Sequence, residues 1–397
     1  MKKVLATILA LVMAIGLCSI SWATEPASVN SAETLKTAIN AATAENNTIT
    51  LTDNVVLSGS MIINKSGVNL VIDLGGKKIS GSSQLFDIYS PVTFKNGTID
   101  VTYNGSGSIC VMWLNGGAKL ALENDVTVNA AKSAGATGSV FAVGLYNDCD
   151  EAELTINGKI TGDNGATING TITTNTNKVT VNGTIDVNEL ALYLAGNGIT
   201  DINNGASLKG DAGVEIRAGV LNVNGGTITS TGANYNVTSN PGGPTTTGAA
   251  LAVAEHTTNQ GVTVNINGGT ITNVAGGKAI SVANPEEKEE AKGANVSVNG
   301  GTISGDVKVG ENVKSTVEGK EPLTVSGDYN MTKDSEGNYT IAKKPTSYYY
   351  YPSTSDTTTS TTTKGSPKTF DTGIALYVGM ALTSAAGVAF VGKKRED

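Results

Sequence analysis

Along most of this chain, apolar residues alternate with polar ones at period two, in short runs broken by Asn-Gly corners. Leu221-Asn222-Val223, Val262-Thr263-Val264-Asn265-Ile266 and Val296-Ser297-Val298 are examples. Alternation at this period marks a strand with one buried face. Most runs lead into an Asn-Gly-x-Ile tetrad or its Asn-Gly-Gly-Thr-Ile variant. These occur at 96–99, 157–160, 169–172, 182–185, 224–228, 267–271 and 299–303. A second apolar element precedes several copies, as Val140-Phe141-Ala142-Val143-Gly144-Leu145, Val214-Glu215-Ile216, Leu251-Ala252-Val253 and Ala279-Ile280-Ser281-Val282. The unit is therefore two or three short strands, and it recurs roughly every 20 to 45 residues, as stacked repeats with inserted loops do.

The pattern predicts an all-β chain, a parallel β-helix over residues 46–345. One coil is too small to bury its own apolar side, so coils must stack to form parallel sheets around a Val/Ile/Leu interior. Asn and Gly suit the sharp corners because both tolerate left-handed backbone. Asn residues at equivalent corners are expected to hydrogen-bond up a column. A β-sandwich is the alternative for many short strands with Gly-rich turns, but the same tetrad at the same place in each unit favours the solenoid. Ahead of it, residues 24–45 read as a cap helix. Asn30 and Glu33 have capping-box spacing, and Leu35, Ala38, Ile39 and Ala42 share one face. Such a helix would cover the unpaired backbone of the first coil.

The run Thr48-Ile49-Thr50-Leu51, followed by Leu70-Val71-Ile72-Asp73-Leu74-Gly75-Gly76-Lys77-Lys78-Ile79, resembles the opening of pectate-lyase-like right-handed β-helix proteins. The resemblance is architectural and extends to about residue 330. It implies right-handed coils and no particular activity, because that family holds enzymes as well as adhesive and structural proteins.

Both ends of the chain carry export signals. Met1-Lys2-Lys3, an apolar run to Cys18 and Ser21-Trp22-Ala23 form a secretory signal peptide over 1–23, with cleavage expected between Ala23 and Thr24. Leu17 before Cys18 argues against a lipoprotein. Residues 372–392 are uncharged and long enough to span a bilayer, and Lys393-Lys394-Arg395 would hold their far end in the cytoplasm. Ser366-Pro367-Lys368-Thr369-Phe370 stands before this transmembrane helix. The arrangement over 366–397 resembles the sorting signal of Gram-positive proteins joined to peptidoglycan by sortase. The resemblance implies sortase and peptidoglycan as partners, with cleavage after Thr369. Phe370 stands where that family has Gly, and a helix retained in the membrane is the alternative. Residues 346–365, with four tyrosines at 348–351 and a Ser/Thr run, read as a spacer.

The charge narrows the partners. Of 27 basic and 35 acidic residues, the two ends hold six and three, which leaves the exported body with a net charge of about −11. Arg217 is its only arginine. Such a surface repels nucleic acid. Two cysteines remain after signal removal, Cys110 and Cys149. They are expected to be buried thiols, with a single bridge as the alternative.

Candidate chemistry is sparse. Glu215 and Arg217 alternate with Val214 and Ile216, so both are expected to point outward, as catalyst and substrate clamp or as an ion pair on a solvated strand. His256 is the one histidine. A general base there competes with an ordinary surface residue, the reading expected here, and Glu255 beside it is expected to diverge. A lone histidine excludes multi-His metal sites. The acidic clusters Asp148, Asp150, Glu151, Glu153 and Glu286, Glu287, Glu289, Glu290 lack a glycine-punctuated calcium loop and read as solvated inserts. No cofactor or metal is expected. The chain is thus expected to be a non-enzymatic surface protein contacting glycans or host-surface ligands, with a wall-attached polysaccharide lyase or glycoside hydrolase as the alternative.

Overall fold

The computed structural model describes residues 28–145, 150–170, 176–256, 261–287 and 289–345. Nearly every strand among them belongs to one of three long sheets of 11, 10 and 12 strands. Successive strands visit the first, second and third sheet in turn, and each pairs in parallel with the strand one coil away. Such stacking fits a parallel β-helix.

The sequence tetrads explain the register. The isoleucines of the tetrads other than 169–172 fall in one inward column of the second sheet, where Ile160, Ile185, Leu208, Ile228, Ile271 and Ile303 are successive partners. The first sheet has a matching column through Ile156, Val181, Ile202, Val223, Ile266 and Val298. The third runs through Met112, Val143, Ala166, Leu192, Val214, Leu251 and Ile280. These residues are buried in one continuous core. Each buried branched side chain contributes about 1.5–3 kcal/mol relative to exposure.

The tetrad asparagines turn the corner between the first and second sheets. Asn182 donates its side-chain amide to Asn157 (2.8 Å), Asn203 to Asn182 (2.9 Å) and Asn224 to Asn203 (3.3 Å). Asn267 continues to Asn224 (3.1 Å) and Asn299 to Asn267 (3.2 Å). The expected column is therefore present, with three differences. Asn96 donates its side-chain amide to Asp73 (3.2 Å) instead. Asn203 joins it although no Gly follows directly. Asn169 is not in it, because it follows the third-sheet strand Asn164–Ile168 and turns another corner.

Helix α1 (Ala32–Ala41) buries Leu35 and Ile39 against the first coils. Its capping box lies one residue later than the sequence spacing suggests. Ser31 Oγ accepts from Thr34 N, and Thr34 Oγ1 accepts from Ser31 N at 3.0 Å. A Thr hydroxyl serves here in place of the Glu33 carboxylate. At the other end the parallel pattern gives way to a hairpin, Tyr329–Lys333 with Asn338–Lys343, which pairs antiparallel with Val307–Val309 and closes the third sheet. Asp334 accepts backbone N–H groups from Glu336 and Asn338 at its turn. Among the described residues no helix is long and apolar enough to cross a membrane. The expected span at 372–392 lies outside them.

Candidate functional site

The outer face of the third sheet carries a cleft of about 650 Å³. This lies within the ~300–1,000 Å³ of typical ligand sites. Two outward columns form its floor. In one, Cys110, Phe141 and Asn164 are successive partners; in the other, Trp113, Gly144, Thr167 and Tyr193. Gly144 opens the floor between Trp113 and Thr167. A Cβ there would sit 2.4 Å from Cys110 Sγ, so the backbone, thiol and cleft shape one another. The Phe141 and Tyr193 rings stack with centroids 6.4 Å apart at 28°. Together with Leu190, Ala195 and Ala212 they make a small apolar cluster outside the main core.

Polar groups rim this floor: Ser108, Ser139, Asn169, Asn188 and Thr247, with Asn164 and Thr167 lower down. The lining carboxylates are Glu189 and Asp211. Glu189 Oε1 accepts from Lys132 Nζ (2.5 Å) and its Oε2 from Asn164 (2.8 Å). The bond from Glu189 holds the Lys132 ammonium above its ordinary pKa. The Thr167 hydroxyl is buried and makes no hydrogen bond within the protein. Burial pushes the Cys110 thiol up to about 12, which leaves it unreactive at neutral pH. Cys110 is free, as expected; Cys149 lies outside the described residues.

One wall of the cleft, at Gly242, Gly243, Pro244 and Thr247, belongs to an insert at 231–248 that leaves the second sheet and folds back over the third. This insert overturns the expected role of Glu215 and Arg217. They do point away from the core, but the insert buries them to 0% and 1% exposure. Glu215 accepts from Thr245 N (2.9 Å), Thr245 Oγ1 (3.0 Å) and Thr246 N (3.1 Å). Burial raises its pKa, while these bonds oppose the rise. Arg217 Nη1 donates to Tyr193 Oη (2.8 Å) and to the carbonyls of Asn240 (3.1 Å) and Gly243 (2.7 Å). Neither is solvated, and each clamps the insert through its own bonds. The alternation predicts their direction; a covering segment from elsewhere in the chain changes their environment.

His256 is likewise buried rather than at the surface. Its Nε2 lies 3.0 Å from Glu286 Oε1, with both side chains 5% exposed, an ion pair when the imidazole is protonated. Glu286 thus departs from the solvated cluster expected for 286–290. Glu255 is buried as well, and accepts from Lys314 N at 2.6 Å. Glu255 and His256 directly follow the third-sheet strand Ala249–Ala254, and neither they nor Glu286 line the cleft. In the first acidic cluster Asp150 and Glu151 are exposed and Glu153 pairs with Lys119 at 2.8 Å, while Asp148 lies outside the described residues. Among the described residues no cluster could hold a metal ion. Ala23, Thr24 and Ser366, Pro367, Lys368, Thr369 and Phe370 lie outside the described residues. The cleft itself leaves no mark in the sequence, because its residues come from separate coils and meet only through register.

The chain matches no family model, no curated protein and no solved structure.

Proposed function

We propose that this chain is a surface-displayed, non-enzymatic β-helix protein of the pectate-lyase-like right-handed kind, which contacts glycans or host-surface ligands. The signal at 1–23 exports it, and the sequence at 366–397 anchors it to the wall or membrane. The observation that carries the non-enzymatic part is the fate of Glu215 and Arg217. The acid and base best placed for chemistry are buried under the 231–248 insert and bonded to it. A general acid or substrate clamp needs access to a substrate. What remains open on that face is a cleft suited to holding a ligand rather than transforming it.

A second reading, a wall-attached lyase or hydrolase, draws on Glu189 and Asp211, which border the same cleft. Paired carboxylates are the usual machinery of glycoside hydrolysis. Against it, both Glu189 oxygens are already engaged. Incubating the protein with pectin, uronate polymers and mucin glycans should yield no new reducing ends and no unsaturated products. Turnover abolished by Glu189→Gln or Asp211→Asn would establish the enzyme instead.

A further inference from the structure

We propose that the cleft on the third sheet binds a neutral, hydroxyl-rich saccharide, with its sugar rings on Phe141 and Trp113 and one hydroxyl bonded to Thr167. This assignment rests on the glycan-contact reading above and gives it a site and a ligand class.

Three observations select that ligand. The first is the floor. Phe141 presents a partly exposed ring, backed by the buried Tyr193 ring, with Trp113 beyond, and a pyranose ring offers the matching surface, since its axial C–H bonds make one face apolar. Hydroxyls then project from the ring edge toward the rim, where Asn169, Asn188, Ser108, Ser139 and Thr247 stand. The second is the Thr167 hydroxyl, 6% exposed and without a partner in the protein. Leaving a buried polar group unpaired is costly, and a ligand hydroxyl would recover that cost.

The third is charge. The cleft's charged lining residues are both acidic, so a uronate or phosphate ligand would meet repulsion. The nearby cation, Lys132, is already held by Glu189. That same pairing compensates Glu189, which leaves exposed Asp211 at the rim as a weak attraction for a cationic sugar. A neutral ligand is the one the whole lining accepts.

The test is calorimetric titration of the full-length chain in mild detergent with cellotriose, maltotriose and N-acetylated chitotriose, and with trigalacturonate as the acidic probe. Tryptophan emission should change on binding, because Trp113 lies in the cleft. At least one neutral probe should bind saturably, and trigalacturonate at least tenfold more weakly. Thr167→Val should weaken binding about three- to tenfold with no loss of thermal stability, since the hydroxyl it removes bonds to nothing in the free protein. Phe141→Ala should weaken it about tenfold. Failure of every neutral probe to bind would overturn the assignment and leave surface display standing. So would equal or tighter binding of trigalacturonate, or unchanged affinity in both variants. Binding accompanied by turnover would uphold the cleft assignment and overturn the non-enzymatic reading.

Discussion

At the scale of single residues, buried carboxylates are the features that local sequence pattern conceals. Glu215 lies within an alternating strand, and alternation fixes only which way a side chain points. Its burial depends on residues 231–248 returning to cover the sheet, a contact no local pattern encodes. Removing it should therefore act on the insert first. Glu215→Ala strips the acceptor from Thr245 and Thr246, and each donor left unpaired costs about 1–3 kcal/mol. Local release to water limits that cost. Limited proteolysis should show new cleavage within 231–248 while the rest of the chain stays resistant. Glu255 gives a pH prediction. Burial pushes its carboxyl up to about 7, above the ~4.3 of an unfolded chain. The folded state thus binds the extra proton between those values. Its contribution to stability is greatest at acid pH and is lost as pH rises from about 4.3 through 7, by a few kcal/mol at most. Denaturant titrations should show Glu255→Gln flattening stability across that window, with little difference from the parent near pH 4.

At the scale of elements, the tetrads are legible because one local need repeats in every coil. A corner needs left-handed or Cβ-free backbone, and the next strand needs an inward Ile. Gly226 illustrates the first requirement: its φ is 70°, and a Cβ added there would lie only 2.4 Å from Ala206 O. Asn203 is harder to read because Asn204 separates it from Gly205, although its amide fills the same place in the ladder. Asn169 carries the tetrad but sits at a different corner, so the motif alone does not assign its column. The closing hairpin is hidden for another reason. Its Asp-Ser-Glu-Gly turn is a good local signal, but the shift from parallel to antiparallel pairing is a tertiary choice. The ladder predicts a graded result. Asn224→Ala removes bonds to Asn203 and Asn267 together and should cost about 1–3 kcal/mol in chemical denaturation, at about 0.5–1.5 kcal/mol per bond.

At the scale of the whole molecule, the stacked coils of residues 46–345 offer outer sheet faces that carry side chains by register alone. The cleft of Trp113, Phe141, Thr167 and Tyr193 arises in this way. The proposed surface display requires that the chain be exported and held, which are the roles proposed for residues 1–23 and 366–397. The most direct measurement is of where the mature chain ends and what releases it from cells. Display by covalent wall attachment predicts release by muramidase and a C-terminus at Thr369 by mass spectrometry, with Thr369→Ala shifting the protein to the membrane fraction. Release by detergent alone, with Glu396-Asp397 intact on most molecules, would contradict wall attachment and leave a membrane-held protein; recovery from the cytoplasm with residues 1–23 still in place would contradict surface display altogether.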